Sequence, residues 1–382
     1  MTSRPELIPV TLLSALTFGG VLRLVGAIQQ PLARRFGFEE HRPGIWLSVF
    51  YLSMVPMMLV SGLLVDRLGL QEMLVAGSLL SCLGIFVLAL CRTARAALYA
   101  IFLIGMSETC LCVGAVVLMP EALIQSNEAA AANLGFVFFG LGALLAPALV
   151  DLLLQTVGLR RTLCLAAVVC LAPALVALLT SSSLFRTGHV SGDVWQIPRS
   201  PAFWGIAVAF LLYCPLEGTL GVWGAVYLQE LGHKERQARF LAAGFWLGFL
   251  GSRVLAAILQ QREVLTRTFD PWMICLLALA AMVLLGNLSG TQHRRNAAAG
   301  LFLLGALLGP IAPTLVGFLF QQFPLDRGTA FGGVFTLGTA GSLFLPPLFG
   351  FYERRGSLRQ ALLIPTVGAF LLAASALVLA LQ

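Results

Sequence analysis

The sequence predicts an all-α membrane protein, with twelve transmembrane helices in two pseudo-symmetric six-helix bundles. Of its 382 residues, 59% are hydrophobic and only 11% charged, which no ordinary globular domain matches. Apolar runs of the roughly 20 residues needed to cross a hydrocarbon core of about 30 Å recur about twelve times with short connections. The third observation is a repeat: the Gly and Pro of Gly142-Ala-Leu-Leu-Ala-Pro147 return in Gly341-Ser-Leu-Phe-Leu-Pro346, offset by 199 residues. Phe136 and Phe335, Leu144 and Leu343, and Leu149 and Leu348 share that offset, close to half the chain, as a duplicated bundle requires.

In order, the spans fall near residues 8–32, 45–64, 73–91, 97–118, 132–156 and 162–181, then 202–228, 239–260, 271–288, 299–320, 331–350 and 360–381. This divides the chain into an N-terminal bundle (1–181), a polar linker (182–200) and a C-terminal bundle (201–382). The first span is too long for a signal-peptide core and has no small-residue cleavage site behind it, so it reads as a retained helix. Eight cysteines (Cys82, Cys91, Cys110, Cys112, Cys164, Cys170, Cys214 and Cys275) lie in or at the ends of apolar segments without a CxxC pair. They read as small core residues, with no disulfide or metal role. The net charge of +7 comes from scattered arginines and one lysine, without the basic block of a nucleic-acid surface. HExxH, GxSxG and phosphate-binding glycine motifs are lacking, so no enzyme, cofactor or metal is expected.

After the second span the chain reads Gly62-Leu-Leu-Val-Asp66-Arg67-Leu-Gly69, a tight helix-loop-helix corner whose acid can pair with arginines or cap the next helix. A charged turn of any kind gives the same pattern. The stretch resembles the GxLxDRxGRR loop of the major facilitator superfamily at Gly62, Asp66, Arg67 and Gly69, with Leu70 and Gln71 in place of the basic pair. Further stretches are similar to the branch of the fucose permease and related sugar symporters. These are Gly105-Met-Ser-Glu108-Thr109, Asn133-Leu134 with Gly140-Leu-Gly142-Ala143 and Pro147, the series Tyr213, Glu217, Gly221, Trp223 and Tyr227-Leu228, Gly309-Pro-Ile-Ala-Pro313-Thr314, and Gly328-Thr-Ala-Phe331. The resemblance implies a monomeric carrier of a small polar solute and a coupling ion, held in a cell membrane, with helices one, four, seven and ten lining the pathway. It departs in the first span, where Ala27 stands at the position of that branch's acid and Arg23 is added.

Four charges lie close to mid-span: Arg23, Glu108, Glu217 and Arg253, all within ~5 Å of the midplane at about 1.5 Å per residue. Each costs about 2.5–3.5 kcal/mol at the bilayer centre unless paired or wetted. One reading pairs Arg23 with Glu108 and Glu217 with Arg253 simply to hold helices together. The other leaves at least one charge free to meet solute or protons. Tyr213, Glu217, Gly221 and Gly224 share one helical face, where a sugar ring could stack on Tyr213 or Trp223 and hydrogen-bond Glu217. Plain glycine packing between helices explains the same two glycines. Pro215 is expected to loosen that span. Glu108 shares its face with the small Cys112 and Ala115, and the four histidines fall in loops, so a proton relay would use Glu108 or Glu217. The expected function is a secondary transporter of a small polar solute, most plausibly a sugar, coupled to a cation such as H⁺. The alternatives are a carrier of small carboxylates held by Arg23 or Arg253, a drug or metabolite exporter, and a non-transporting sensor or scaffold.

The resemblance puts the Asp66-Arg67 loop and both termini in the cytoplasm. Loop charges point the other way, with seven Lys and Arg residues on that side against fifteen on the opposite one. We follow the motifs, which occur in order along the chain. An Arg67→Cys variant is therefore expected to resist a membrane-impermeant thiol reagent in intact cells and to react once the membrane is opened; labelling from outside reverses the orientation.

Overall fold

The structure, a computed structural model, describes residues 4–37, 44–185, 194–291, 293–355 and 361–381. Helix makes up 88% of it, and the described residues contain no strand. The helices are α1 (Leu7–Ala27), α2 (Gln29–Phe36), α3 (Gly44–Leu68), α4 (Leu70–Leu90), α5 (Ala94–Ala122), α6 (Glu128–Thr156), α7 (Leu159–Val169) and α8 (Ala172–Leu179). They continue as α9 (Pro201–Glu230), α10 (Glu235–Gln261), α11 (Asp270–Gly290), α12 (Arg294–Leu308), α13 (Ile311–Gln322), α14 (Arg327–Arg355) and α15 (Leu363–Ala380). Eleven stretches are long and apolar enough to cross a membrane, and α14, at 29 residues, covers the predicted eleventh span. In the predicted linker, short 3₁₀ turns occupy Ser182–Phe185 and Val194–Arg199, while residues 186–193, including His189, lie outside the described residues, as does His41.

Three spans expected to be continuous are each two helical segments. The span at 8–32 breaks at Ile28, that at 162–181 at Cys170-Leu171, and that at 299–320 at Gly309-Pro310. Pro31, Pro173, Pro310 and Pro313 stand just beyond or within these breaks. A proline withholds the N–H that would bond four residues back and crowds that carbonyl, so the ladder is interrupted there. Pro215, expected to loosen its span, leaves α9 a single 30-residue helix.

Contacts group the chain into two compact units. The first comprises residues 1–125, 135–194 and 325–336; the second comprises 126–134, 195–324 and 337–382. In the first unit α5 is the central element, 83% buried along its apolar window, with α1, α3 and α4 packed around it. Thr93 starts α5 by accepting the Ala96 N–H at 3.3 Å. In the second unit the α12–α13 stretch takes that place, 72% buried, against α9, α10 and α11. The eight cysteines are free thiols, five of them buried.

The sequence repeat has a structural counterpart. Gly142 on α6 lies against the Leu16 carbonyl of α1, and Gly341 on α14 lies against the Leu211 carbonyl of α9. Both positions bring one helix backbone onto another, which only a residue without Cβ allows, and close approach of this kind is what associates helices in lipid. A β-carbon at either position would strike backbone that cannot rotate away. Gly142→Val and Gly341→Val are each expected to destabilise by about 1–3 kcal/mol, read as a lower melting temperature of the purified protein. Gly286→Ala, where nothing lies within 4 Å, is the neutral control; equal melting of all three would remove the close-approach argument.

Candidate functional site

The break between α12 and α13 positions the principal cluster, which lies wholly in the second unit. Pro313 has no N–H to give the carbonyl four residues before it, so the Gly309 carbonyl is left without its helical donor. Arg253 on α10 supplies one from Nε at 2.8 Å. The neighbouring Leu308 carbonyl, at the last residue of α12, accepts the Tyr213 hydroxyl of α9 at 3.0 Å. Tyr213 and Arg253 are 0% and 1% exposed, so both donors work in a dry interior, where an unanswered carbonyl would be costly.

Glu217, one turn after Tyr213, is half-buried. Its carboxylate is a second acceptor within reach of the Tyr213 hydroxyl, and the Arg253 guanidinium acts on both. Arg253 also lies over the Phe249 ring, its guanidinium carbon 4.0 Å from the centroid. Phe249 packs in turn on Phe245 and Trp246. Of the residues predicted for the site, the structure thus brings Tyr213, Glu217 and Arg253 together. Trp223 goes elsewhere: it lines a small apolar niche of about 10 Å³ with Leu220, Tyr227, Leu288 and Leu301. Gly221 is covered by the Trp246 ring and makes room for it, whereas a β-carbon at Gly224 would meet Leu301 and Ala242 only at ordinary contact distance.

In the first unit, Glu108 is 0% exposed at the middle of α5. The backbone amide of Leu22 on α1 faces its carboxyl group. Neither carboxyl oxygen has a hydrogen bond of full geometry. Elsewhere on α5, Ser107 donates to the Ile104 carbonyl at 2.7 Å and receives the Ser81 hydroxyl at 2.8 Å. Ser61 and Thr109 pair at 2.9 Å. Arg23 is half-buried on α1.

The loop motif has a definite role in the geometry of the first unit. Asp66 Oδ1 accepts the Gly328 N–H at 3.0 Å, and Oδ2 accepts the Thr329 N–H at 2.6 Å and the Thr329 hydroxyl at 2.7 Å. The carboxylate therefore caps the distant α14 rather than the helix that follows it, answering two orphan donors where the helix dipole favours negative charge. Gly62 lets α3 approach Gly328 and Gly332 on the same helix. Gly69 holds φ at +112° to start α4, and Arg67 is exposed. Beside this cap Arg327 pairs with Glu121 at 2.9 Å, and Arg4 reaches Glu121 at 3.9 Å.

Sequence reasoning missed a buried amide network in the second unit. Asn133 Nδ2 donates to Gln260 Oε1 at 3.0 Å and to Thr314 at 3.2 Å, and Gln260 Nε2 donates to Asp270 at 3.0 Å. Asn127 caps the start of α6 through Ala130 and donates to the Gln260 carbonyl. Asn133 and Thr314 stand in the quoted motifs, but the partners Gln260 and Asp270 sit at predicted span ends, where nothing in the pattern marks them.

A chain of this kind is a membrane transporter. It belongs to the major facilitator superfamily, whose family model matches residues 7–346. Its fold is similar to that of two solved structures of FucP, each 19% identical and each aligned over 98% of this chain and 99% of that one. One, with a TM-score of 0.76, is described as the E. coli fucose:proton symporter. The other, with a TM-score of 0.79, is described as a major facilitator transporter in the outward conformation. No curated protein sequence matches the chain significantly. Membership in this superfamily makes the protein a carrier and not an enzyme.

The cluster predicts a stability effect. Arg253→Met removes the donor to Gly309 and the charge beside Glu217, and breaking a buried charged network from one side costs about 3–5 kcal/mol. The purified variant is expected to melt well below the unsubstituted protein, whereas unchanged melting would show that Arg253 does not hold α10 to α12.

Proposed function

We propose that the protein is a proton-coupled carrier of a small neutral polar solute, a sugar, working by alternating access in a cell membrane with both termini cytoplasmic. Glu108 carries the reading. A carboxyl group wholly buried in the middle of a membrane helix, with no hydrogen bond of full geometry to either oxygen, is costly to keep and suited to taking up and releasing a proton. Glu217, half-buried one turn after Tyr213, supplies a hydrogen-bond acceptor of the kind that sugar hydroxyls meet. Arg253 weighs against the carboxylate alternative. Its guanidinium is committed to the Gly309 carbonyl and the Phe249 ring and is 1% exposed, so it offers little to an incoming anion. Arg23 remains the residue on which an anion reading would rest. The fucose:proton symporter activity printed for one fold neighbour agrees with the proposal, as fold-level analogy.

In reconstituted vesicles Glu108→Gln is expected to abolish accumulation driven by a pH gradient while exchange of the same sugar across the membrane persists. Gradient-driven uptake at the unsubstituted level would sink the coupling role. In the same preparation Glu217→Gln is expected to weaken binding-induced thermal stabilisation by the active sugar about tenfold or more, the cost of one lost charged hydrogen bond. Selective loss of carboxylate transport in Arg23→Gln would instead favour the anion carrier.

A further inference from the structure

A second polar feature lies away from this cluster, where α10 and α12 begin. His233, Arg236, Gln237, Phe240, Leu241, Arg294 and Arg295 line an open basin of about 640 Å³ in the second unit. Three guanidinium groups and an imidazole converge on it, and no carboxylate lines it. The acid nearest in sequence, Glu235, is engaged by Arg239 at 3.3 Å along α10. His233 lies 3.5 Å from the Arg294 carbonyl, which brings the turn after α9 beside the start of α12.

Beside the cations the basin is apolar. Phe240, one turn after Arg236, is 79% exposed, and the same face of α10 continues with Leu247 at 62%, Leu255 at 57% and Ile258 at 42%. These residues fall at i, i+7, i+15 and i+18, which keeps them in one stripe along the helix. A cationic basin at the mouth of a long apolar stripe matches a molecule with a negative head and hydrocarbon tails.

We propose that this basin holds the phosphate of an anionic phospholipid whose acyl chains lie along the Phe240–Ile258 stripe. Guanidinium forks suit phosphate oxygens, and three of them converging without a carboxylate give the basin the charge an anionic headgroup requires. The site also gives a use to some of the excess arginine at this end of the chain, since Lys234, Arg236, Arg239, Arg294 and Arg295 belong to the more basic set of loops. It is independent of the transport reading, because no residue of the Tyr213 cluster takes part.

The test uses full-length protein in detergent, stripped of lipid, with bound lipid counted by native mass spectrometry. Phosphatidylglycerol is expected to bind at least about tenfold more tightly than phosphatidylcholine. The triple variant Arg236→Gln, Arg294→Gln, Arg295→Gln is expected to lose that preference, and Arg92→Gln with Arg95→Gln to keep it. Should the triple variant fail to fold, Arg295→Gln alone must lower the preference. Equal binding of the two lipids, or a preference that survives these substitutions, overturns the proposal. Glycerol 3-phosphate matching the lipid in affinity would make the ligand a soluble phosphate ester and overturn it as well.

Discussion

The hydrogen bond from Arg253 to the Gly309 carbonyl is the interaction on which the second unit's interior depends. In lipid no water stands ready to answer a backbone carbonyl, so a helix can be broken at mid-span only where the chain supplies a substitute donor. Pro310 and Pro313 create the break, and Arg253 and Tyr213 answer the carbonyls beside it. The same pair of donors places a guanidinium and a phenol next to Glu217, which gives a polar cluster at the depth where charge is most expensive. Structural need and chemical opportunity coincide in one turn of chain, as irregular backbone inside membrane proteins commonly lines functional ground.

Glu108 in the first unit is the contrast. It has the burial of Arg253, but only the Leu22 backbone amide faces its carboxyl group, without a hydrogen bond of full geometry. Burying a polar group without a hydrogen bond of full geometry is costly. The two units therefore handle intramembrane charge differently, one by placing it in a network of hydrogen bonds and one by burying a carboxyl group that has no hydrogen bond of full geometry.

Helix starts are handled differently as well. At α14 the orphan N–H groups meet a full carboxylate, Asp66 from α3, in three hydrogen bonds. At α6 the start is capped by its own Asn127, and the amides of Asn133 and Gln260 join α6 to α10 and to Thr314 on α13. A charged cap gains from the helix dipole, whereas an amide network depends on geometry and on every donor finding its acceptor. The duplicated sequence has thus kept the glycine contacts of its two halves, at Gly142 and Gly341, while diverging in the polar contacts at helix ends.

By itself the sequence determined whatever follows from local pattern. Apolar runs of membrane length set the helices, the half-chain offset of Gly142 and Gly341 set the pseudo-symmetry, and mid-span charges at Arg23, Glu108, Glu217 and Arg253 marked the residues worth attention. The prolines were visible too, yet the reading of Pro215 as a loosening point and of the span at 299–320 as continuous had the emphasis reversed, because a proline's effect depends on what neighbouring helices offer the freed carbonyl. Partnership was decided only in three dimensions. That Asp66 caps α14, some 260 residues away, that Trp223 turns into an apolar niche while Trp246 covers Gly221, and that Gln260 and Asp270 join Asn133 and Thr314 are outcomes of helix rotation and register. A periodicity of 3.6 gives the face of a helix but not the neighbour it meets, and in a chain apolar on nearly every face the pattern cannot tell lipid from protein.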